Sequence, residues 1–256
     1  MNEFTDKEKV MAAELARQDF YFFVRWMFLN TKGFKWMHNW HHKSICDALM
    51  RVYNGEVKRL IITVPPRYSK TEIAVVNFMA WALGHHPDSE FIHVSYASQL
   101  ATENSYKCRE MLLSGPYNEV FPYTKVRDDS TAKDHWKTSV DGRVYAAGNK
   151  GTLTGFGAGK KRPGFGGAII IDDILKASEA KSDVIRNGVL SWFQTTLESR
   201  KNDPSTPIIV IMQRLHEMDL AGWLLDGGNG EEWEHVNYPA IIDDEALWPA
   251  MHSLEE

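Results

Sequence analysis

Cysteine is scarce in this 256-residue sequence: it contains only Cys46 and Cys108, which lie far apart and outside any C-x-x-C pattern. Neither a disulfide framework nor a zinc site is therefore indicated. The sequence also lacks an H-E-x-x-H pair and a G-x-S-x-G serine, so neither a metalloprotease nor an elbow-type hydrolase is indicated. The N-terminus lacks the form of a signal peptide, and the most apolar stretch, residues 20–29, is interrupted by Arg25 and too short for a bilayer. We expect a soluble cytosolic protein without a membrane partner.

Charge is distributed unevenly along the chain, whose formal net charge is −5. Residues 125–162 contain nine Lys or Arg against four Asp or Glu, a local balance of +5, which leaves −10 for the remainder. Residues 215–256 contain eleven acidic residues and no Lys or Arg. The basic middle segment is compatible with contact to a polyanion and equally with an ordinary solvated surface.

Hydrophobic patterning predicts strands that alternate with helices. Apolar or β-branched runs predict buried strands at residues 59–64, 91–96, 168–172 and 208–212. Helices are predicted at residues 6–29, 42–53, 71–83, 98–113, 179–199 and 219–225. Such alternation implies a mainly parallel sheet with helices on both faces, an α/β fold. We predict a helical N-terminal segment over 1–55, a core over 56–240 and a linker over 241–256.

Two features lie between the predicted strands in the middle of the chain. Asp141-Gly142 is a two-residue hairpin signal between β-prone flanks. Residues 149–167 are rich in glycine and contain the basic triplet Lys160, Lys161 and Arg162. We predict an exposed, mobile loop here, with the triplet as a contact for DNA or a neighbouring subunit.

The segment Val64–Thr71, VPPRYSKT, follows a predicted strand and precedes a predicted helix. A phosphate loop needs backbone N–H groups at a helix N-terminus, a lysine for the phosphates and a hydroxyl for magnesium. Lys70 and Thr71 supply the last two. Both glycines of G-x-x-x-x-G-K-[ST] are replaced, by Val64 and Ser69, so the amides of residues 68–71 must form most of the cradle. The predicted nucleotide-binding residues of this loop are Pro66, Arg67, Tyr68, Ser69, Lys70 and Thr71.

A second feature, AIIIDD at residues 168–173, places two carboxylates at the end of a buried strand. In nucleotide hydrolases with a phosphate loop, such a pair holds magnesium and polarises the attacking water. The two motifs together predict a site for ATP and Mg²⁺, with Thr71 and Asp172 on the metal and Asp173 as the base. Glu179, six residues further on, is the alternative base.

Five motifs in order resemble one family of phage terminase large subunits, the ATPases that package DNA. The motifs are LIITVPPRYSKTE at 60–72, SYA at 95–97, GTLTG at 151–155, IDD at 171–173 and IMQRLHEMDLAG at 211–222. The resemblance covers residues 36–250 and implies a P-loop NTPase fold of the additional-strand (ASCE) type.

The resemblance also implies roles for individual residues. Arg67 would be a cis-acting arginine that contributes to catalysis together with Lys70 and Asp173. Gln213 and Arg214 would couple hydrolysis to movement. His41 or His42 occupies the place of an adenine-recognising glutamine, and we include His42 among the nucleotide-binding residues.

The function implied is ATP-driven translocation of double-stranded viral DNA into a procapsid, in the cytoplasm of an infected bacterial host. The implied partners are double-stranded DNA, a portal protein, a small terminase subunit, and further copies in a ring on the procapsid; alone, the chain could be a monomer. A helicase-like ATPase and a nucleotide-gated assembly module without turnover are the alternatives. We expect no nuclease activity, because the late acidic residues 243–245 stand in one row.

One departure from the family pattern leaves open which arginine acts on a neighbouring subunit. Phe156 stands where the family often has an arginine, and Arg162 and Arg143 are the alternatives.

Overall fold

A computed structural model describes residues 5–254. Its helices are α1 (Asp6–Gln18), α2 (Phe20–Lys32), α3 (Trp40–Tyr53), α4 (Phe78–His85), α5 (Ser98–Leu113), α6 (Gly115–Val120), α7 (Asp183–Trp192) and α8 (Leu220–Leu225). Its strands are β1 (Arg59–Thr63), β2 (Glu90–Ser95), β3 (His135–Lys137), β4 (Arg143–Gly148), β5 (Ile169–Asp172), β6 (Ile208–Met212), β7 (Glu234–Asn237), β8 (Ile241–Ile242) and β9 (Glu245–Ala246). Within this part of the chain no helix is both long and apolar enough to cross a membrane.

Seven strands form one sheet in the order β3-β4-β2-β5-β6-β1-β7. All neighbours are parallel except β3 and β4, which form the hairpin predicted around Asp141-Gly142. Strand β6 separates β1, which leads into the phosphate loop, from β5, which ends in the carboxylates. This inserted strand defines the additional-strand type of P-loop fold, and the predicted fold class is confirmed.

Alternating side chains of the central strands feed two separate hydrophobic cores, as expected for a sheet covered on both faces. Leu60 and Ile62 pack into the core under α1–α5, whereas Ile61 packs into the core under α7 and α8. Helices α1–α3 thus cover the sheet through the first core. The domain boundaries themselves stay a prediction, although Leu247 and Trp248 are buried in that same core.

Three predicted helices differ from the observed ones. The helix expected over 6–29 is broken, because the Asp19 carboxylate accepts a hydrogen bond from the Phe22 N–H (2.7 Å) and starts α2. The helix after the phosphate loop begins with a π-helical segment, Glu72–Asn77, in which the Asn77 side-chain Nδ2 donates to the Glu72 carbonyl (2.8 Å). The helix expected over 179–199 is divided into a 3₁₀ turn, α7, a π segment and a second 3₁₀ turn.

The glycine-rich segment 149–167 is anchored rather than fully exposed, so that part of the prediction is wrong. Leu153, Ala158 and Phe165 are buried. Ala158 also exchanges backbone hydrogen bonds with residues 200 and 202 (both 2.9 Å). The segment is also tied to β2, because the Gly159 N–H donates to the Glu90 carbonyl and the Glu90 N–H donates to the Gly166 carbonyl (both 3.0 Å).

Candidate active site

The C-terminal ends of four parallel strands lie side by side. Thr63 of β1 pairs with Met212 of β6, and Asp172 of β5 pairs with Ile211 on one side and Ser95 on the other. The phosphate loop, the paired carboxylates and the segment after β6 therefore meet at one edge. Ligands of open α/β sheets bind at this edge.

The phosphate loop takes a backbone form that favours an anion. Arg67 and Ser69 have positive φ angles, 68° and 62°, and Tyr68 lies between them. Alternating left- and right-handed residues turn successive N–H groups toward one concavity, which suits an anion. Ser69 thus adopts the glycine-like conformation without being glycine, at a cost of roughly 1 kcal/mol. The Ile73 N–H donates to the Ser69 carbonyl (3.1 Å), so the helix starts directly behind the loop. Pro66 and Arg67 are exposed at its tip.

Lys70 and Thr71 each contact one of the paired carboxylates. The Lys70 Nζ lies 2.9 Å from the Asp173 Oδ2. The Thr71 hydroxyl donates to the Asp172 Oδ2 at 2.7 Å. Lys70 and Asp172 are both buried. Two motifs about a hundred residues apart in sequence are thereby brought into direct contact.

Asp172 has an incomplete set of partners. Its Oδ1 is buried and accepts no hydrogen bond within the described structure. Burial, followed by the neighbouring Asp173 charge, raises the pKa of Asp172 to about 7, against the opposing effects of Thr71 and Lys70. A cation would satisfy this oxygen and favour the ionised form.

These residues fit Mg²⁺ better than a metal with a full protein cage. No group of three or more His, Cys, Asp or Glu side chains that could hold a metal occurs in residues 5–254. Mg²⁺ binds through one or two carboxylates and takes its other ligands from phosphates and water. Asp172 and Thr71 supply oxygen atoms of this kind.

Asp173 is held in a strained position by its neighbours. Its φ is 43°, its N–H donates to the Ile211 carbonyl (2.9 Å), and its carbonyl accepts from the Tyr96 N–H (3.1 Å). Its Oδ1 accepts from the Gln213 N–H at 3.0 Å. The alternative base, Glu179, ends the 3₁₀ turn Ala177–Glu179. Asp173 is the carboxylate that the structure places on Lys70.

The two predicted coupling residues occupy different positions. Gln213 directly follows β6 and contacts Asp173 through its backbone. Arg214 instead forms an ion pair with Asp219 (3.0 Å). Their coupling role stays a prediction.

His42, predicted to bind the nucleotide, is fully buried in an aromatic cluster. Its ring lies 5.2 Å from Trp36 and 4.7 Å from Trp248, measured between centroids. Burial lowers the pKa of His42 to about 3, so the ring is neutral. In this arrangement His42 packs on Trp248, which in turn lies near Tyr68 of the phosphate loop, and base recognition by the His42 side chain stays a prediction.

The basic triplet lies at the opposite edge of the sheet, where the parallel strands begin. Lys160 pairs with Glu90 (2.9 Å), at the start of β2, and Arg162 binds Asp88 through two hydrogen bonds (2.6 and 2.8 Å). Lys161 is exposed and forms no ion pair within residues 5–254. Arg143 also reaches Glu90, at 3.7 Å. The three cations of the triplet therefore do not form one unpaired basic surface.

Sequence reasoning did not assign three features around the site. Asp219, inside the last motif, is a buried acceptor of several hydrogen bonds. Tyr68 is stacked on His252 (4.8 Å between centroids) and lies near Trp248, both from the end of the described chain. Phe156 is stacked on Tyr145 at 3.7 Å. Only the D-L-A-G run gave a signal, because an aspartate before an apolar run often caps a helix.

Solved structures of phage large terminases are similar to this chain. The large terminase of the thermophilic bacteriophage D6E in complex with ADP matches with a TM-score of 0.46 and 12% identity, over 81% of this chain and 47% of that chain. The ATPase domain of the Thermus phage P74-26 large terminase, in a mutant form, matches with a TM-score of 0.48 and 14% identity, over 87% of both chains. This chain thus spans about half the length of the D6E protein. No family model and no curated protein matches the sequence.

At these identities the similarity concerns the fold, so the site residues are assigned from the geometry of this chain. That geometry consists of an inserted strand between β1 and β5, a phosphate loop before a helix, and paired carboxylates beside it. The chain has the additional-strand P-loop fold, and it is similar to the ATPase domains of phage large terminases.

Proposed function

We propose that this chain is an Mg²⁺-dependent ATPase that drives double-stranded DNA into a viral procapsid. The observation that carries the ATPase proposal is the double contact between the two motifs, Thr71 to Asp172 at 2.7 Å and Lys70 to Asp173 at 2.9 Å. A lysine and a hydroxyl from a helix start thus face two carboxylates from a strand end. This arrangement suits phosphoryl transfer to water.

Phosphate binding would use the loop backbone and two cations. The N–H groups around Ser69 and Lys70 lie at a helix start, where the helix dipole also favours an anion. Lys70 would move from Asp173 to the β- and γ-phosphates, and the exposed Arg67 is available to add positive charge. Thr71 and Asp172 would hold Mg²⁺, which when bound neutralises charge on the phosphate oxygens.

Hydrolysis would use Asp173 to orient and deprotonate a water molecule. The Gln213 N–H holds one carboxylate oxygen of Asp173 in place, and release of Lys70 to the phosphates frees the other. The water oxygen then bonds to the γ-phosphorus while the bond to the β,γ-bridging oxygen breaks. ADP leaves with that electron pair, and the water proton passes to Asp173. The Lys70–Asp173 ion pair thus keeps the base occupied until phosphate arrives.

The motor function rests on the five ordered motifs that resemble those of terminase large subunits. With it come the other proposed partners: a portal protein, a small terminase subunit and a ring of copies on the procapsid, in the cytoplasm of an infected bacterium. We also propose that the chain itself has no nuclease activity.

The test is phosphate release by the purified chain with ATP and Mg²⁺, alone, with duplex DNA, and with DNA and procapsids. We expect turnover that requires the metal and rises with DNA and procapsids. ATP binding without any turnover would favour the assembly-module alternative. Unwinding of a forked duplex would favour the helicase alternative. Cleavage of plasmid DNA with Mn²⁺, lost on chelation, would contradict the absence of nuclease activity.

A further inference from the structure

The segment after β6 is closed around one buried carboxylate, that of Asp219, which is 1% exposed. Four donors from the same nine-residue stretch converge on it. They are the N–H groups of Leu215 (3.0 Å), His216 (3.3 Å) and Gly222 (2.9 Å), and the Arg214 Nε (3.1 Å). A buried carboxylate is stable when several donors surround it.

The Arg214 guanidinium also binds the backbone of the same segment. Its Nη2 donates to the carbonyls of His216 (3.3 Å) and Glu217 (3.1 Å). Gly222 fits because it has no side chain: a Cβ there would lie 1.7 Å from the Glu217 carbonyl oxygen and 2.7 Å from the Arg214 Nη2. We call residues 214–222 the Asp219 turn. Backbone, guanidinium and carboxylate fix its shape together.

The Asp219 turn begins one residue after a contact with the active site. Gln213 donates its N–H to the Asp173 Oδ1 (3.0 Å), and the Asp173 Oδ2 faces Lys70. The position of that N–H is set on one side by β6, where Met212 pairs with Thr63. On the other side it is set by the path that Arg214 takes into the turn. Asp173 therefore has its orientation determined partly by residues that never touch the nucleotide.

We propose that Asp219 is a positioning residue for hydrolysis: through Arg214 and the closed turn, it holds the Gln213 N–H against Asp173. This inference rests on the function proposed above, because it assumes that Asp173 orients the water. Asp219 itself contacts neither the phosphate loop residues Lys70 and Thr71 nor Asp172 within the described structure. It should therefore affect the chemical step and leave nucleotide binding unchanged.

A purely structural role would give a different result. Asp219 is also the N-cap of α8, through its bond from the Gly222 N–H. Ser182 is the matching N-cap of α7 and accepts from the Ile185 N–H (3.4 Å). If Asp219 did no more than cap a helix, its loss and the loss of Ser182 would lower Tm alike and leave kcat unchanged.

The test compares Asp219→Asn, Arg214→Gln and the control Ser182→Ala, with ATPase kinetics measured well below each Tm. Asn has the size of Asp, but its NH₂ group cannot accept from the converging N–H donors. We expect Asp219→Asn to lower kcat by about tenfold to a hundredfold, as for a small displacement of a reacting group. The KM for ATP should change by less than about twofold, the pattern of a lost transition-state interaction. Arg214→Gln should give the same pattern, and Ser182→Ala should give neither.

A second readout is the hydrogen exchange rate of the Gln213 amide, followed by NMR. We expect it to rise by about tenfold in Asp219→Asn, because a released amide exchanges through local opening. Unchanged exchange, or faster exchange with normal kcat, would overturn the inference. A wild-type chain without turnover would refute the proposed function instead, and the Gln213 exchange rate would still decide whether Asp219 fixes this contact. Arg214→Gln keeps the inference testable if Asp219→Asn does not fold.

Discussion

The carboxyl edge of the sheet, where the parallel strands end, and the amino edge, where they begin, both contain buried carboxylates beside lysine. The two edges differ in how completely these carboxylates are paired. At the carboxyl edge, Lys70 and Thr71 contact Asp173 and Asp172, and within residues 5–254 the Asp172 Oδ1 has no hydrogen-bond partner. At the amino edge, the Glu90 carboxylate accepts from both Lys160 (2.9 Å) and Asn202 (2.8 Å). We propose that the charges of the first edge rearrange around a bound nucleotide. Those of the second hold the glycine-rich segment on the sheet.

Clustered basic residues in a sequence therefore do not identify a binding surface by themselves. The triplet at 160–162 had the stronger charge signal, but two of its members are used internally. The single Lys70, flanked by neutral residues, lies where a phosphate would bind. Position at the edge of the sheet separates these cases better than local charge does.

Replacing Lys70 is expected to produce the largest contrast between the edges. Lys70→Ala removes the clamp on the phosphates, and we expect kcat to fall by about a thousandfold or more. Lys161→Ala, an exposed lysine at the other edge, is the matched control and should retain normal turnover. Phosphate release at saturating ATP measures both, and undiminished activity in Lys70→Ala would contradict the assignment.

Replacing the proposed base should have the next largest effect. Asp173→Asn keeps size and hydrogen bonding but removes the charge, so we expect ATP binding to persist and kcat to fall by about a hundredfold or more. Asp173→Glu should retain part of the activity. The matched variant is Glu179→Gln, with turnover and nucleotide binding measured for all three. Normal hydrolysis by Asp173→Asn together with an inactive Glu179→Gln would transfer the role to Glu179.

The core between the two edges should make the fold sensitive to acid. His93 lies in the middle of β2, fully buried, with its ring nitrogens at 3.2 Å from the Ile170 carbonyl and the Asn104 amide. Burial lowers its pKa from 6.5 to about 4. His93 is therefore protonated below about pH 6.5 in the unfolded chain, but only below about pH 4 in the folded chain. Stability present above pH 6.5 should thus decrease on acidification, by on the order of 3 kcal/mol from this residue.

Urea unfolding at several pH values between 7.5 and 4.5 measures this loss. In His93→Gln the decrease should be shallower by about the same amount, after allowing for its lower overall stability. His41 and His42, also buried with lowered pKa values, should add to this loss, whereas Asp172, whose pKa is raised to about 7, should oppose it. Parallel pH profiles for the two proteins would show that His93 does not titrate in this way.

The smallest effect is expected at the amino edge. If the triplet contacts DNA, only Lys161 is available without breaking an ion pair. We expect Lys161→Ala to reduce the slope of log K against log salt by about 0.9, the contribution of one phosphate contact. Replacing all three residues should add little further change in slope. An unchanged slope in both variants would mean that this segment does not contact DNA.

The sequence was most informative where the structure depends on local signals. Strand β6 and helix α5 were predicted with the observed bounds, because a bounded apolar run and a long periodic stretch specify them. The phosphate loop and the paired carboxylates were also located from residue types and spacing. Their contact, seen in the structure, agrees with the rule that parallel strands end at a common edge.

Features that depend on distant partners were not predicted. Strand β7 is half-exposed and short, and it exists because β1 offers a parallel edge about 170 residues away in sequence. The packing of Trp248 on His42 depends on how the chain returns to α3. The break at Asp19 was obscured by the aromatic residues around it. For β7 and Trp248 tertiary contacts outweigh the local pattern, whereas the break at Asp19 is a local helix cap.

The inserted strand β6 also sets a distance. Neighbouring strands lie about 4.8 Å apart, so one strand between β1 and β5 separates the lysine side of the site from the carboxylate side by about 10 Å at the backbone. The side chains of Lys70 and Asp173 close that gap at present, and a phosphate group with its metal would fill it. A shift of one residue in β6 would turn every side chain of that strand to the opposite face. The pairing register of β6 therefore determines which residues face the two halves of the site. An inserted residue in β6 would place the Met212 N–H where the Gln213 N–H now contacts Asp173, and would shift the Asp219 turn by one residue relative to the site.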